Sequence, residues 1–523
     1  MTLGEKEFTK RITATIRARM KHLGIRDGLF LAALLVALFL YAFHLSSDLY
    51  GDERGHTYNV VATEDFWTNI QDPSMCHPPL YFMLAKLSYK LTDEPWGIRI
   101  PSILFALGTV IVLSFGAKRI LGDRFFLPAV WMAALSPFLL EFATEGRAYA
   151  MLIFFSVAMT WALFEFFESE NVKNMLILIF IAICGALTHY FFWVQMVFAG
   201  VYYLIVKKHI SRYALGVLAI VLIVLAPLGS TLFVTQEGNF TEYLQVSWSK
   251  TYLNIPNFIS RLPVALTYGY STFRLPNLDP ARNFDLRMLF DNWYLSPLVL
   301  VSFFGIIYAW VRLAVEKAKW FWFLFLGIVL PSALGLFGGT LGFYLIREKH
   351  LAVVWGSYSL LLLLAFHYLS RTKSGFLVMS CYAVVVIVSI IHFIAYPNEY
   401  SRRMDWTGLN QAIEARINHS DLIVFYASNP QNLSLGKMRV LENNFRTVNL
   451  EADRPKGISL EEFVEQIDKS TEGKVYLINN ETDRHMVDPN SEVIKTFMST
   501  RTVSESRFGR NLILYEFKRD LQK

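Results

Sequence analysis

Eleven separate runs of this chain are apolar enough to seek a hydrocarbon environment, near 27–47, 99–117, 125–142, 148–168, 174–188, 190–206, 213–234, 296–314, 320–341, 351–369 and 375–396. A single bilayer crossing takes ~20 mostly apolar residues. Within lipid the backbone must satisfy its own hydrogen bonds, which an isolated run achieves only as a helix. The runs therefore predict a polytopic α-helical membrane protein with about 11 transmembrane helices. Composition points the same way: 54% of the residues are apolar and 15% aromatic, and the mean hydropathy is positive, which excludes an ordinary soluble globular class. Three cysteines give no disulfide framework. The segment before the first run carries Lys6, Lys10, Arg11, Arg17, Arg19, Lys21 and Arg26. It is too long and too polar for a cleavable signal peptide, so the run after it reads as a retained anchor.

Charge then orders the loops. The stretch 77–92, "HPPLYFMLAKLSYKLT", is apolar on one side but holds Lys86 and Lys90 and is short for a crossing, so it reads as a helix lying in the outer interface. With that assignment the basic loops all fall on one side: the N-terminus, "AKRILGDR" (117–124), "ENVKN" (170–174), "KKHISR" (207–212), "EKAK" (316–319) and "SRTKSG" (370–375). The positive-inside rule makes that side cytoplasmic. Segments 48–98, 144–149, 235–295 and 344–350 then lie outside, and they hold most of the polar residues of interest. The predicted location is the plasma (inner) membrane, multi-pass, with the site on the extracytoplasmic side. The basic excess follows the loops, and no nucleic-acid partner is expected.

From Pro397 onward the character changes. Residues 397–523 hold 18 Lys/Arg and 19 Asp/Glu, and "DLIVFYAS" (421–428), "KVYLIN" (474–479) and "NLILYEF" (511–517) read as buried strands between polar, partly helical stretches. The expected organisation is a membrane catalytic domain over 1–396, with outer loops at 48–98 and 235–295, followed by an extracytoplasmic α/β domain over 397–523.

Ionisable groups at the mouths of spans are costly unless paired or hydrated, and so mark functional candidates. Asp52 and Glu53 follow the first run closely, inside "YGDERGHTYNVV". Adjacent acids can supply a general base held by a second charge, or metal ligands, and equally can cap a solvated loop. In "HPPLYF", His77 precedes Pro78 and Pro79, which suit a helix start, with Tyr81 and Phe82 as interfacial aromatics. "SPFLLEFATEGRAYAM" brings Glu145, Arg147 and Tyr149 to an outer turn, where Glu145 and Arg147 can also form a local ion pair. "THYFFW" places His189 on the same side. "REKH" sets Arg347, Lys349 and His350 before a late span, where positive charge can neutralise a phosphate or snorkel to lipid headgroups.

The order of these motifs, with "DW" (Asp405, Trp406) after the last run, resembles the polyprenyl-phosphate-sugar-dependent GT-C glycosyltransferases, and in particular the bacterial protein-mannosyltransferase-like and aminoarabinose-transferase-like enzymes. The resemblance covers roughly residues 25–400. It implies that the catalytic aspartate is Asp52, with Glu53 beside it, and that the family's "PPL" is Pro78, Pro79 and Leu80. Where relatives often have an acid and a lysine before those prolines, this chain has Cys76 and His77. The usual "RYL" corresponds to Lys349, His350 and Leu351, which keeps a charge but loses the bidentate guanidinium. Arg347 stands near enough in sequence to compensate.

The resemblance further implies transfer of a sugar from a polyprenyl-phosphate donor to a hydroxyl on a protein, lipid or glycan acceptor. Asp52 would serve as base, and Lys349, Arg347 or Arg147 would bind the departing lipid phosphate. Further site candidates are His77, Glu145, Tyr149, His189 and His350. Loss of a lipid phosphate does not in itself require a metal, and neither metal nor cofactor is expected. The alternative is a polytopic transporter or flippase for lipid-linked glycans, with the same charges lining a pathway. Such proteins commonly show internal repeats and broken helices at the membrane midplane; neither is visible in this sequence, and the charges gather at one face.

Overall fold

The structure is a computed structural model of the chain that describes residues 24–47, 49, 53, 57–63, 65–67, 78–207, 210–226, 255–269, 294–318, 320–340, 348–395, 406–418, 420–425, 446–450, 453–455, 457–480, 492–507 and 512–519. These fall into two compact units. The first takes in residues up to Leu45, then Trp67–Ser88 and Arg99–Ile391.

Apolar sequence becomes helix throughout this first unit. The helices lying wholly or mainly in it are α1 (Ile25–Ala42), α2 (Leu80–Thr92), α3 (Ile100–Leu121), α4 (Phe126–Ala134), α5 (Pro137–Ala143), α6 (Tyr149–Glu168), α7 (Val172–Ala186), α8 (Phe192–Lys207), α9 (Arg212–Ala226), α10 (Ile255–Tyr268), α11 (Ser296–Val315), α12 (Phe321–Thr340), α13 (Trp355–Leu369) and α14 (Lys373–Ala395). Among the described residues, six helical stretches are long and apolar enough to cross a membrane alone, and four shorter apolar helices accompany them. The run read as one span over 125–142 is bent by 54° between α4 and α5. Its cause is local. Pro137 lacks the N–H that would continue the helix, and Ser136 caps the new one by accepting from the Leu139 N–H at 3.3 Å.

Ion pairs and hydrogen bonds show which helix ends share a level. Arg26, in the first turn of α1, pairs with Asp123 at 2.7 Å, and Lys118 near the end of α3 reaches the same carboxylate at 3.0 Å. Arg119 pairs with Glu165 of α6 at 2.7 Å, and Lys207 at the end of α8 pairs with Glu170 at 3.1 Å. Here is a basic end of the bundle, built from the loops that the charge pattern assigned to one side. At the opposite helix ends the buried Arg99 guanidinium donates to the Leu45 carbonyl at 2.7 Å and to that of His44 at 3.3 Å, which pins the chain leaving α1. The Leu80 N–H donates to the Leu187 carbonyl past the end of α7 at 3.0 Å. The segment from Leu80 to Arg99 thus begins and ends at this same level. α2, at 13 residues, is short of a crossing.

Tight packing fixes α13 against α6. A Cβ on Gly356 would stand 2.9 Å from the Val157 Cα, so only glycine lets these backbones approach so closely. Ahead of it lies a 3-10 helix, Glu348–Val354. The Ser156 hydroxyl of α6 donates to the Val353 carbonyl, and the Gln195 side chain of α8 donates to the Ser156 carbonyl at 3.1 Å. Three elements are locked together by these bonds, made where water is scarce and an unmet polar group is expensive.

The second unit takes in residues 46–66, 89–98 and 392–523. Its C-terminal portion contains α15 (Trp406–Glu414), β1 (Leu422–Phe425), β2 (Arg446–Asn449), α16 (Leu460–Ser470), β3 (Val475–Asn480), α17 (Glu492–Thr500), β4 (Arg501–Arg507) and β5 (Leu512–Arg519). The strands form one sheet in the order β2-β1-β3-β5-β4, parallel across β2-β1-β3 and antiparallel beyond. Alternate residues Leu422, Val424, Val475, Leu477 and Phe517 pack with Val464 and Ile467 of α16 and with Val493 and Phe497 of α17. The buried Arg501 guanidinium pairs with Asp468 at 2.5 Å and donates to the Thr471 and Gly473 carbonyls at 2.7 and 2.6 Å, so its desolvated charge is met on several sides. The expected strands near 421–428, 474–479 and 511–517 are present. β2 and β4, both polar edge strands, escaped the reading.

Candidate active site

Three elements of the first unit converge opposite the basic end. Arg147 and Tyr149 stand at the start of α6, His189 and Phe191 form the turn from α7 into α8, and His350 comes from the 3-10 helix before α13. All five are buried. The His350 ring stacks on Phe191, with centroids 4.7 Å apart and planes 19° from parallel. It lies 6.3 Å from Tyr149 at 30° and 6.0 Å from His189. Tyr149 and His189 are 5.5 Å apart, and the Arg147 guanidinium sits 5.2 Å from the Tyr149 ring centre. A desolvated cation–ring contact of this sort contributes on the order of 1–2 kcal/mol.

Local backbone explains why the groups meet. The Phe191 N–H donates to Nδ1 of His189 at 3.2 Å, which makes Nδ1 the acceptor nitrogen and leaves Nε2 to carry the proton in a neutral ring. The Arg147 carbonyl accepts from the Ser102 hydroxyl of α3 at 3.1 Å, and Ser102 shares a 2.8 Å hydrogen bond with the Tyr81 hydroxyl of α2. The start of α6 is thereby tied to the helix that follows Pro78 and Pro79. Leu80 in turn is tied to the residue two before His189. Motifs far apart in sequence, "HPPLYF", "GRAY", "THYF" and "EKH", are thus joined by hydrogen bonds or ring contacts.

The sequence-predicted residues divide accordingly. Arg147, Tyr149, His189 and His350 come together. Glu145 lies beside them through its carbonyl, which accepts from the Arg147 N–H at 2.9 Å. Glu53 is helical and fully buried and belongs to the second unit. Asp52, His77 and Arg347 lie outside the described residues, as does Asp405, and for Lys349 the backbone alone is described. Three contributors were missed. Phe191 gave no polar signal, Arg99 was absorbed into the first residue of a span, and Ser102 sat inside an apolar run.

The connection 235–295 contributes α10, whose C-terminal end docks within the bundle. Thr267 hydrogen-bonds to Tyr358 of α13, and Tyr268 to Ser302 of α11. The chain then turns at Gly269, whose φ of +76° lies in the left-handed region that favours glycine.

The family model described as dolichyl-phosphate-mannose-protein mannosyltransferase matches residues 76–230, the stretch that runs from the segment before Pro78 past the His189 turn. No curated protein matches the chain in sequence. Among solved structures, ArnT from Cupriavidus metallidurans in the apo state superposes with a TM-score of 0.52 at 10% identity, covering 94% of this chain and 98% of that one. The same protein bound to undecaprenyl phosphate gives 0.48 at 12% identity, with 94% and 98% covered. The Archaeoglobus fulgidus oligosaccharyltransferase in complex with zinc and sulfate gives 0.45 at 11%, covering 94% of this chain and 73% of that one. The chain thus shares its fold with that apo ArnT structure, and over residues 76–230 it is similar to the dolichyl-phosphate-mannose-protein mannosyltransferase family.

Proposed function

We propose that this protein transfers a hexosyl or pentosyl unit from a polyprenyl-phosphate donor to a hydroxyl of a protein, lipid or glycan on the extracytoplasmic side of the plasma membrane. The observation that carries the reading is the convergence of Arg147, Tyr149, His189 and His350 at the helix ends opposite the basic loops, within and beside the segment matched to the mannosyltransferase family. Cationic and hydrogen-bonding groups at headgroup depth suit a lipid phosphate.

In the reaction the acceptor oxygen forms a bond to the anomeric carbon as the bond from that carbon to the phosphate oxygen breaks. The electron pair leaves on the polyprenyl phosphate, and the acceptor proton passes to a base. Asp52 is assigned that base and Glu53 the group that orients it. Lys349, Arg347 and Arg147 are assigned to the growing negative charge on the phosphate, where fixed cations lower the barrier more than water does. The C-terminal α/β domain is assigned to acceptor handling. Depleting the protein in its native cell tests the reading: one polyprenyl-phosphate sugar is expected to accumulate on the extracytoplasmic leaflet. An unchanged lipid-linked sugar pool would contradict it.

A further inference from the structure

His350 occupies an unusual position for a histidine. Its ring stacks with two aromatic neighbours from different elements, with planes 19° from Phe191 and 30° from Tyr149. His189 faces it from the α7–α8 turn, and the Arg147 guanidinium adjoins Tyr149. Contact of this kind uses the π-surface of the imidazole, a property that phenylalanine and tyrosine share. Residues further along the chain extend the clamp. Val353 is held through its carbonyl by Ser156, and Gly356 lies against the Val157 backbone. Tyr149 and Ser156 are seven residues apart on α6, a rise of about 10 Å, so the backbone between residues 350 and 353 is gripped at both ends by one helix. Lys349 is the residue just before the grip.

We propose that His350 is a positioning residue, whose stacked ring rather than whose charge fixes the backbone from which Lys349 serves the lipid phosphate. The inference rests on the polyprenyl-phosphate reading given above and adds to it a division of labour between neighbours: one residue supplies the charge, and the next supplies the anchor.

The test uses the full-length protein in lipid nanodiscs, with undecaprenyl phosphate as the probe and undecaprenol as its uncharged counterpart. His350→Ala and Phe191→Ala are each expected to weaken undecaprenyl-phosphate binding by roughly tenfold, and the double variant by little more than either, because contacting residues act as one unit. His350→Phe is expected to recover binding to within about threefold of the native protein, since the stack survives. Undecaprenol binding should be the same in all of them, a result that general loosening of the bundle would not give. Lys349→Ala should remove most of the preference for the phosphate.

If His350→Phe binds as weakly as His350→Ala, the imidazole itself serves the phosphate and the positioning role is overturned. Native binding by His350→Ala and Phe191→Ala, beside weak binding by Lys349→Ala, overturns it too. Where His350→Ala does not fold, the phenylalanine variant decides alone: recovery supports the anchor, and loss in a folded protein overturns it. A native protein that does not distinguish the two lipids would overturn the underlying reading, and the inference with it.

Discussion

At the scale of single residues, the charge at position 349 is the most exposed to test. Hydrogen bonds to charged groups contribute about 1.5–3 kcal/mol, so Lys349→Ala is expected to raise the donor KM by roughly one to two orders of magnitude, while Lys349→Arg retains most of the affinity. Unchanged donor kinetics in both Lys349→Ala and Arg347→Ala would remove this motif from the reaction. Four of the residues that gather here were legible in the sequence for a physical reason. Arg147, Tyr149, His189 and His350 sit where apolar runs stop, and a polar group is affordable there but not a turn deeper. Phe191 was invisible because an aromatic beside an apolar run looks like more of the run. Arg99 was invisible because the carbonyls of His44 and Leu45, which make its burial tolerable, belong to a bend that the sequence does not announce.

At the scale of elements, apolar periodicity located the helices well and missed what depends on single bonds. The 54° break before Pro137 lay within a run read as one span, although "SP" is the combination that ends one helix and caps the next. β2 and β4 were missed because edge strands face solvent on their open side and need no apolar alternation. The sheet also carries a pH dependence that can be measured. On β5, burial pushes the Glu516 carboxyl up, but hydrogen bonds from Lys474 and Lys518 outweigh it and leave the pKa below its ordinary value of 4.5. A lowered carboxyl pKa stabilises the fold above the unfolded value, and that contribution is lost as pH falls through the folded one. Lys474 is raised, chiefly by its hydrogen bond to Glu516, so its contribution is full below the ordinary 10.5 and fades only at strongly alkaline pH. Protection of the β3 and β5 amides from hydrogen exchange in the intact protein, taken against the intrinsic rate at each pH, is expected to fall below about pH 4.5 and to stay flat through neutrality. Glu516→Gln should exchange faster at neutral pH and lose that acid step. An acid step that survives in the variant would assign it to another group.

At the scale of the whole molecule, the ion pairs at one set of helix ends and the His189–His350 cluster at the other set divide the first unit along the bilayer normal. Membrane-impermeant labelling of single cysteines is expected to reach positions 146 and 348 from the extracytoplasmic side, together with position 51 and the C-terminal domain, and to reach 118, 208 and 373 from the cytoplasm only. Opposite exposure of 51 and 146 would break the single-face arrangement. The central claim is that this bundle breaks a glycosyl-phosphate bond, and the most direct measurement is release of free polyprenyl phosphate by purified protein supplied with a polyprenyl-phosphate sugar and a hydroxyl acceptor. General-base catalysis is typically worth ~100- to 10,000-fold, so the account predicts release by the native protein, a fall of about that size in Asp52→Asn with donor binding retained, and a smaller fall in Glu53→Gln. Passage of the intact lipid-linked sugar across the bilayer with no bond broken, or native turnover in Asp52→Asn, would contradict it.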